Sequence, residues 1–171
     1  FMTLSWERTF PAQCGPEPLP HLDPSYLTSP GKNRKGPIRT FLLDQSVVAG
    51  IGNIYACEIL HLAGIAPARP VSSLDVQEWD LLLSAINSVL NKAVTCRGTS
   101  ISDWRDFHGQ KGTFQNELCV YGRDGLPCPR CGTVIDDVPL AVGVPISARA
   151  AKPKFSVPVV GIRPNSFPLN K

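Results

Sequence analysis

The chain has 171 residues, enough for one sizeable core or two small ones, and 43% of them are hydrophobic, which suffices for a packed domain. No apolar run approaches the roughly 18 residues of a membrane span, and the opening FMTLSWERTF lacks the basic-then-apolar order of a secretory signal. The net charge of +3 is small but unevenly spread: no acid falls between Asp23 and Asp44, whereas Lys32, Arg34, Lys35 and Arg39 do. This is a candidate phosphate-facing patch, with a solvated basic loop as the alternative.

Residues 1 to 22 read as an irregular, proline-rich linker or the remnant of a missing N-terminal domain. DPSYLTSP suits a short helix, and GPIRTFLLDQ suits a helix from Pro37, whose missing N–H costs nothing in a first turn. VVAGIGNIYACEIL then places a glycine-lined turn before a helix expected from Asn53 to Ala63, with Gly64 as a left-handed stop and Pro67 preventing continuation. The clearest helix lies in LDVQEWDLLLSAINSVLNKAVTCRG, capped by Asp75 with Glu78 three residues on, and ended by Gly98. Its apolar stripe is Trp79, Leu82, Leu83, Ile86, Val89, Leu90, Ala93 and Val94, which reads as core. Trp104 and Tyr121 are also read as core. Beyond Asp137 there is no acid, and residues 138 to 171 carry six prolines without a period, the composition of an irregular, disordered tail.

Three constellations could carry chemistry. The first is the glycine turn with Asn53. The first turn of a helix leaves N–H groups unpaired and partly positive, so it can bind phosphate. Gly50 and Gly52 can take positive φ and admit a nucleic-acid backbone. Asn53 either caps the helix or turns its amide toward phosphate, and Arg39 could clamp the same group. The second is CPRCG, with Cys128 and Cys131 spaced to aim two thiolates at one zinc ion. No Cys or His follows Cys131, so two of four ligands would have to come from elsewhere. The third is the loop FHGQKGTFQ, where Lys111 supplies charge and Phe107 and Phe114 either stack on a base or anchor the loop. Six cysteines without a secretory signal point to a reducing cytosol rather than a disulfide framework, with Cys57 and Cys96 as buried small hydrophobes. His61 reads as structural.

These words in this order resemble the C-terminal half of the formamidopyrimidine-DNA glycosylase family, relatives of endonuclease VIII. The resemblance runs from GPEPL through RKGPIRTFLLDQSVVAGIGNIYACEIL and AGIAPARPVSSL to GTSISDW and GTFQNELCVYGRDGLPCPRCGTVI, residues 15 to 135. It implies a mainly α fold: a helix-two-turns-helix DNA-binding domain over 23–120, a partial zinc-ribbon hairpin over 121–137, and an irregular tail over 138–171. It implies base-excision repair, with removal of 8-oxoguanine and formamidopyrimidines from double-stranded DNA and strand cleavage at the abasic site. It also implies a flipped-out base beneath the loop at 105 to 114, and backbone phosphate held by Asn53 and by Arg39, where lysine is common in the family. The candidate DNA-binding set is Lys35, Arg39, Gly50, Gly52, Asn53, Tyr55 and Lys111; the candidate metal ligands are Cys128 and Cys131. The chain is expected to act as a cytoplasmic, nucleoid-associated monomer of bacterial type.

The departures set a further expectation. The family's nucleophile is the amine of an N-terminal proline, followed by a catalytic glutamate; this sequence opens Phe1–Met2, and where a second zinc pair is due it reads ISARAAKPKF. A truncated or frameshifted gene, or a partial reading frame, is therefore expected, its product binding DNA without glycosylase activity. The competing expectation is a non-catalytic, ribosomal-protein-like helix-two-turns-helix module with an RNA partner. GTFQNELCVYGRDGLPC argues for the glycosylases.

Overall fold

Helix boundaries follow the stop signals of the sequence closely. A computed structural model describes residues 14–19, 22–31, 33–101, 105 and 108–135. Expectations for residues 1–13, Lys32, Trp104, Phe107 and the tail from 138 lie outside them. Among the described residues the fold is helical: α1 (Pro24–Gly31), α2 (Ile38–Leu43), α3 (Asn53–Ala63) and α4 (Val76–Thr95), with single 3₁₀ turns at Val71–Ser73 and Phe114–Glu117. Pro37 caps α2 rather than opening it, a shift of one residue. Gly64 takes φ 73° and closes α3, donating to the carbonyls of His61 and Leu60 as expected of a left-handed stop.

The longest helix, α4, is built on its own sequence signals. The Asp75 side chain accepts from the Glu78 N–H (2.8 Å) and Glu78 accepts in return from the Asp75 N–H (3.0 Å), a reciprocal cap. Its buried face carries Trp79, Leu82, Leu83, Ala85, Ile86, Val89, Leu90 and Ala93. Val94, expected on that stripe, is 69% exposed; at about 100° per residue it falls on the margin of the apolar arc, in the last turn. The helix closes one residue earlier than Gly98: Arg97 already has φ 57°, and the Gly98 N–H reaches back to the Ala93 carbonyl at 2.8 Å.

Packing places α3 against α4, with α2 beside α3 and α1 on α4. Ile59, Leu60, Leu82 and Ile86 are fully buried in one cluster with Leu42, Val48 and Ile51. Truncating any one of these leucines or isoleucines to alanine costs about 2–5 kcal/mol. Phe41 meets Trp79 edge to face at 5.9 Å, which ties α2 to α4. Cys57 and Cys96, expected as buried hydrophobes, are only half-buried, since Cys57 faces the start of its own helix and Cys96 lies past the end of α4. No helix among the described residues is long and apolar enough to cross a membrane.

Candidate nucleic-acid interface

The start of α3 differs from what Asn53 as a cap would give. The cap residue is Gly52, in extended backbone (φ −99°, ψ 179°), and Asn53 is the first helical residue. The first intrahelical bond runs from the Ala56 N–H to the Gly52 carbonyl (2.9 Å), so the N–H groups of Asn53, Ile54 and Tyr55 precede the ladder. No side chain caps this end and no acid occupies its first turn. Gly52 is exposed, and a Cβ added to it would meet nothing within 4 Å. The turn therefore does not use Gly52 for positive φ, and the space beside it is open to an approaching group.

Arg39 and Asn53 do meet. The Arg39 guanidinium donates to Asn53 Oδ1 at 2.5 Å across the gap between α2 and α3. With its oxygen committed to a cation, the amide presents Nδ2 as its remaining donor. The result is one guanidinium, one amide donor and the first-turn N–H groups gathered at a positive helix end, donors of the kind that can hold a phosphate oxygen. The pair also bears on Cys57: burial pushes its thiol above the ordinary value, Arg39 opposes and Glu58 adds to the rise.

The glycine turn is held from within by a residue that sequence reasoning missed. Gln45 Oε1 accepts from the Gly50 N–H (2.9 Å), and its Nε2 donates to the carbonyls of Leu43 (3.1 Å) and Ile51 (3.0 Å). Gly50, at φ 84°, supplies the left-handed bend, and its N–H is taken up by Gln45. Asp44 begins the turn, accepting from the Ser46 N–H (3.1 Å) and hydroxyl (2.5 Å). The Ser46 hydroxyl, then Arg34, hold the Asp44 carboxyl below its ordinary value.

The basic patch is divided by the fold. Arg34 pairs with Asp44 at 2.7 Å and lies over the Phe41 ring, a structural duty. Lys35 is exposed just before α2, and Lys111 is exposed on the loop after α4. Tyr55 points onto the seam with that loop: its ring lies 5.5 Å from Phe114 and its hydroxyl 3.3 Å from Thr99 Oγ1. Phe114, 3% exposed, anchors the loop and is not offered to a base.

The far end of α3 holds the cysteine hairpin. The Ile135 N–H donates to the Leu126 carbonyl (2.9 Å), the Cys128 N–H donates to the Thr133 carbonyl (2.8 Å), and the Gly132 N–H closes the turn on Cys128 (2.8 Å). Cys128 Sγ lies 3.6 Å from His61 Nε2, and Arg130 donates to the His61 carbonyl at 3.2 Å. Burial holds the His61 imidazole below its ordinary value. The Thr133 hydroxyl and N–H, then Cys128, lower the exposed Cys131 thiol. Among the described residues no three His, Cys, Asp or Glu side chains gather where a metal ion could sit. Two thiols are half of a tetrahedral set, so the residues present do not fit a closed zinc site.

The comparisons with known proteins agree with this architecture. The model of the formamidopyrimidine-DNA glycosylase H2TH domain matches residues 14–105. Formamidopyrimidine-DNA glycosylase of Thermomicrobium roseum is 49% identical over 138 residues, 80% of this chain and 47% of that protein. That of Moorella thermoacetica is 50% identical over 125 residues, 72% and 46% of the respective chains. Among solved structures, MutM (Fpg) from Thermus thermophilus superposes with a TM-score of 0.71 at 40% identity, covering 75% of this chain and 50% of that one. Lactococcus lactis Fpg in complex with DNA containing an abasic site gives 0.70 at 37%, covering 75% and 48%. The chain spans about half the length of the curated relatives it matches.

Proposed function

This chain belongs to the formamidopyrimidine-DNA glycosylase family, and on that premise we propose that it grips the sugar-phosphate backbone of damaged double-stranded DNA in base-excision repair. The observation that carries the reading is the uncapped start of α3 with Arg39 and Asn53 joined beside it. A backbone phosphate accepts from the first-turn N–H groups and from Asn53 Nδ2, while the Arg39 guanidinium neutralises its charge. Lys35 and Lys111 add exposed cations, and each neutralised phosphate releases counterions, which makes binding salt-dependent. Gly50 and Gly52 leave room for the backbone to approach. Tyr55 supports the loop that carries Lys111.

The proposal extends to the activity this half serves: excision of oxidised purines such as 8-oxoguanine and formamidopyrimidines, with strand cleavage at the abasic site, by a monomer in a bacterial cytoplasm, on the nucleoid. Support comes from the relatives, whose structures include Lactococcus lactis Fpg bound to abasic-site DNA and to Fapy-dG DNA. The zinc expectation reduces to the half-site at Cys128 and Cys131, and no step of the reading passes through a metal. Fluorescence anisotropy tests the reading with three probes: a duplex bearing an abasic site, the same duplex intact, and a structured RNA. The damaged duplex is expected to bind tightest. A preference for the RNA would overturn the reading in favour of a ribosomal-protein-like module.

A further inference from the structure

Glu58 is the one buried charged side chain among the described residues, 5% exposed in the middle of α3. Its carboxylate accepts three consecutive main-chain N–H groups, from Cys119 (2.9 Å), Val120 (3.0 Å) and Tyr121 (2.9 Å). A carboxylate leaves water only when its oxygens are satisfied, and here the backbone of a segment 61 to 63 residues downstream satisfies them. One turn before Glu58, Tyr55 touches Thr99 and Phe114; one turn after, His61 touches Cys128. Tyr55, Glu58 and His61 follow one another at i, i+3 and i+6, so neighbouring members of the series lie on adjoining turns of the helix. All three hold the chain that follows α4. Asn53 lies five residues before Glu58, about 7.5 Å along the axis.

We infer that Glu58 is a positioning residue for DNA binding: it locks the chain that follows α4, with its exposed Lys111, to the helix whose first turn meets phosphate, so that both reach one duplex in fixed register. The inference rests on the DNA-binding reading above. The three bonds make the segment and α3 one body, and cations already held in place lose little entropy on binding. A glutamine at position 58 keeps the shape but replaces one acceptor oxygen with an NH₂ group facing N–H donors. An aspartate keeps the charge and retracts it by one methylene.

Two measurements on the full chain test this. In Glu58→Gln, amide hydrogen exchange at Cys119, Val120 and Tyr121 is expected to accelerate at least about tenfold, the factor that corresponds to roughly one lost hydrogen bond to a charged group, with protection in α4 at Leu82, Ile86 and Val89 unchanged. The slope of log affinity against log salt for the abasic duplex is expected to fall in magnitude by about one, the loss of one phosphate contact, with Glu58→Asp recovering part of both effects. Accelerated exchange with an unchanged slope would overturn the positioning role alone. Failure of the unsubstituted chain to bind any duplex would overturn the underlying reading and the role with it. Should the variants not fold, amide shifts of the unsubstituted chain decide. Lys111 and Asn53 moving along one duplex-binding isotherm supports the inference, whereas Asn53 moving alone overturns it.

Discussion

The starts of α3 and α4 solve the same problem in opposite ways. Both helices begin with N–H groups that the ladder cannot satisfy. At α4, Asp75 and Glu78 cap each other, and Arg69 pairs with Glu78 from the preceding loop, so the end is closed by protein. The start of α2 is closed too, with the N–H groups of Ile38 and Arg39 bonded to the carbonyls of Arg69 (2.8 Å) and Pro67 (3.2 Å). At α3 the cap is a bare glycine, and the nearest polar pair, Arg39 with Asn53, offers donors and a positive charge instead of an acceptor. An end completed by its own sequence contributes stability; an end left as donors is, on the proposed reading, kept for recognition.

Substitutions should separate those two roles. Arg39→Ala is expected to have the largest effect, weakening duplex binding by about 1.5–3 kcal/mol, the range of a charge-assisted contact, and reducing the salt slope by about one; a titration at two salt concentrations reads both. Asn53→Ala comes next, at roughly 1–3 kcal/mol and alike for all DNA sequences, because phosphate carries no sequence information. Because the substitution also removes the Arg39–Asn53 hydrogen bond, some stability is lost with it, and affinity is compared well below both melting temperatures. Asp75→Ala should invert the pattern: a loss of about 1 kcal/mol in stability by chemical denaturation, with duplex affinity unchanged.

The smallest effect concerns acid. Because Asp44 is held below its ordinary value of 3.8, its contribution is fully present above that pH and is lost as pH falls through the lowered value. The turn from 44 to 52 should therefore loosen only below about pH 4, the ordinary range of an aspartate, and Asp44→Asn should remove that acid dependence. Amide exchange at Val47 and Val48, whose N–H groups bond the Asp44 carbonyl, would follow it.

Much of this was legible in the residues themselves. Gly64 and Pro67 bound α3, Asp75 with Glu78 bounds α4, and each acts through local chemistry that a sequence displays. The sequence pointed Arg39 and Asn53 at one phosphate, but neither their direct hydrogen bond nor the cap at Gly52 that leaves Asn53 inside the helix was legible. Glu58 was not read, because its partners are backbone N–H groups, which carry no side-chain signature. The one available signal was a lone acid within the apolar stretch NIYACEILHLA. The contact of His61 with Cys128 spans 67 residues and depends on how the hairpin folds back. Val94 followed the stripe's arithmetic but fell at its margin, where position within the last turn decides exposure.

The most direct test is an amide NMR titration of the full chain with a short abasic duplex. The N–H resonances of Asn53, Ile54 and Tyr55 and the Asn53 side-chain NH₂ are expected to shift most, while those of Val76, Gln77 and Glu78 at the closed start of α4 stay in place. Tight binding with the α3 resonances unmoved would contradict the phosphate-binding reading.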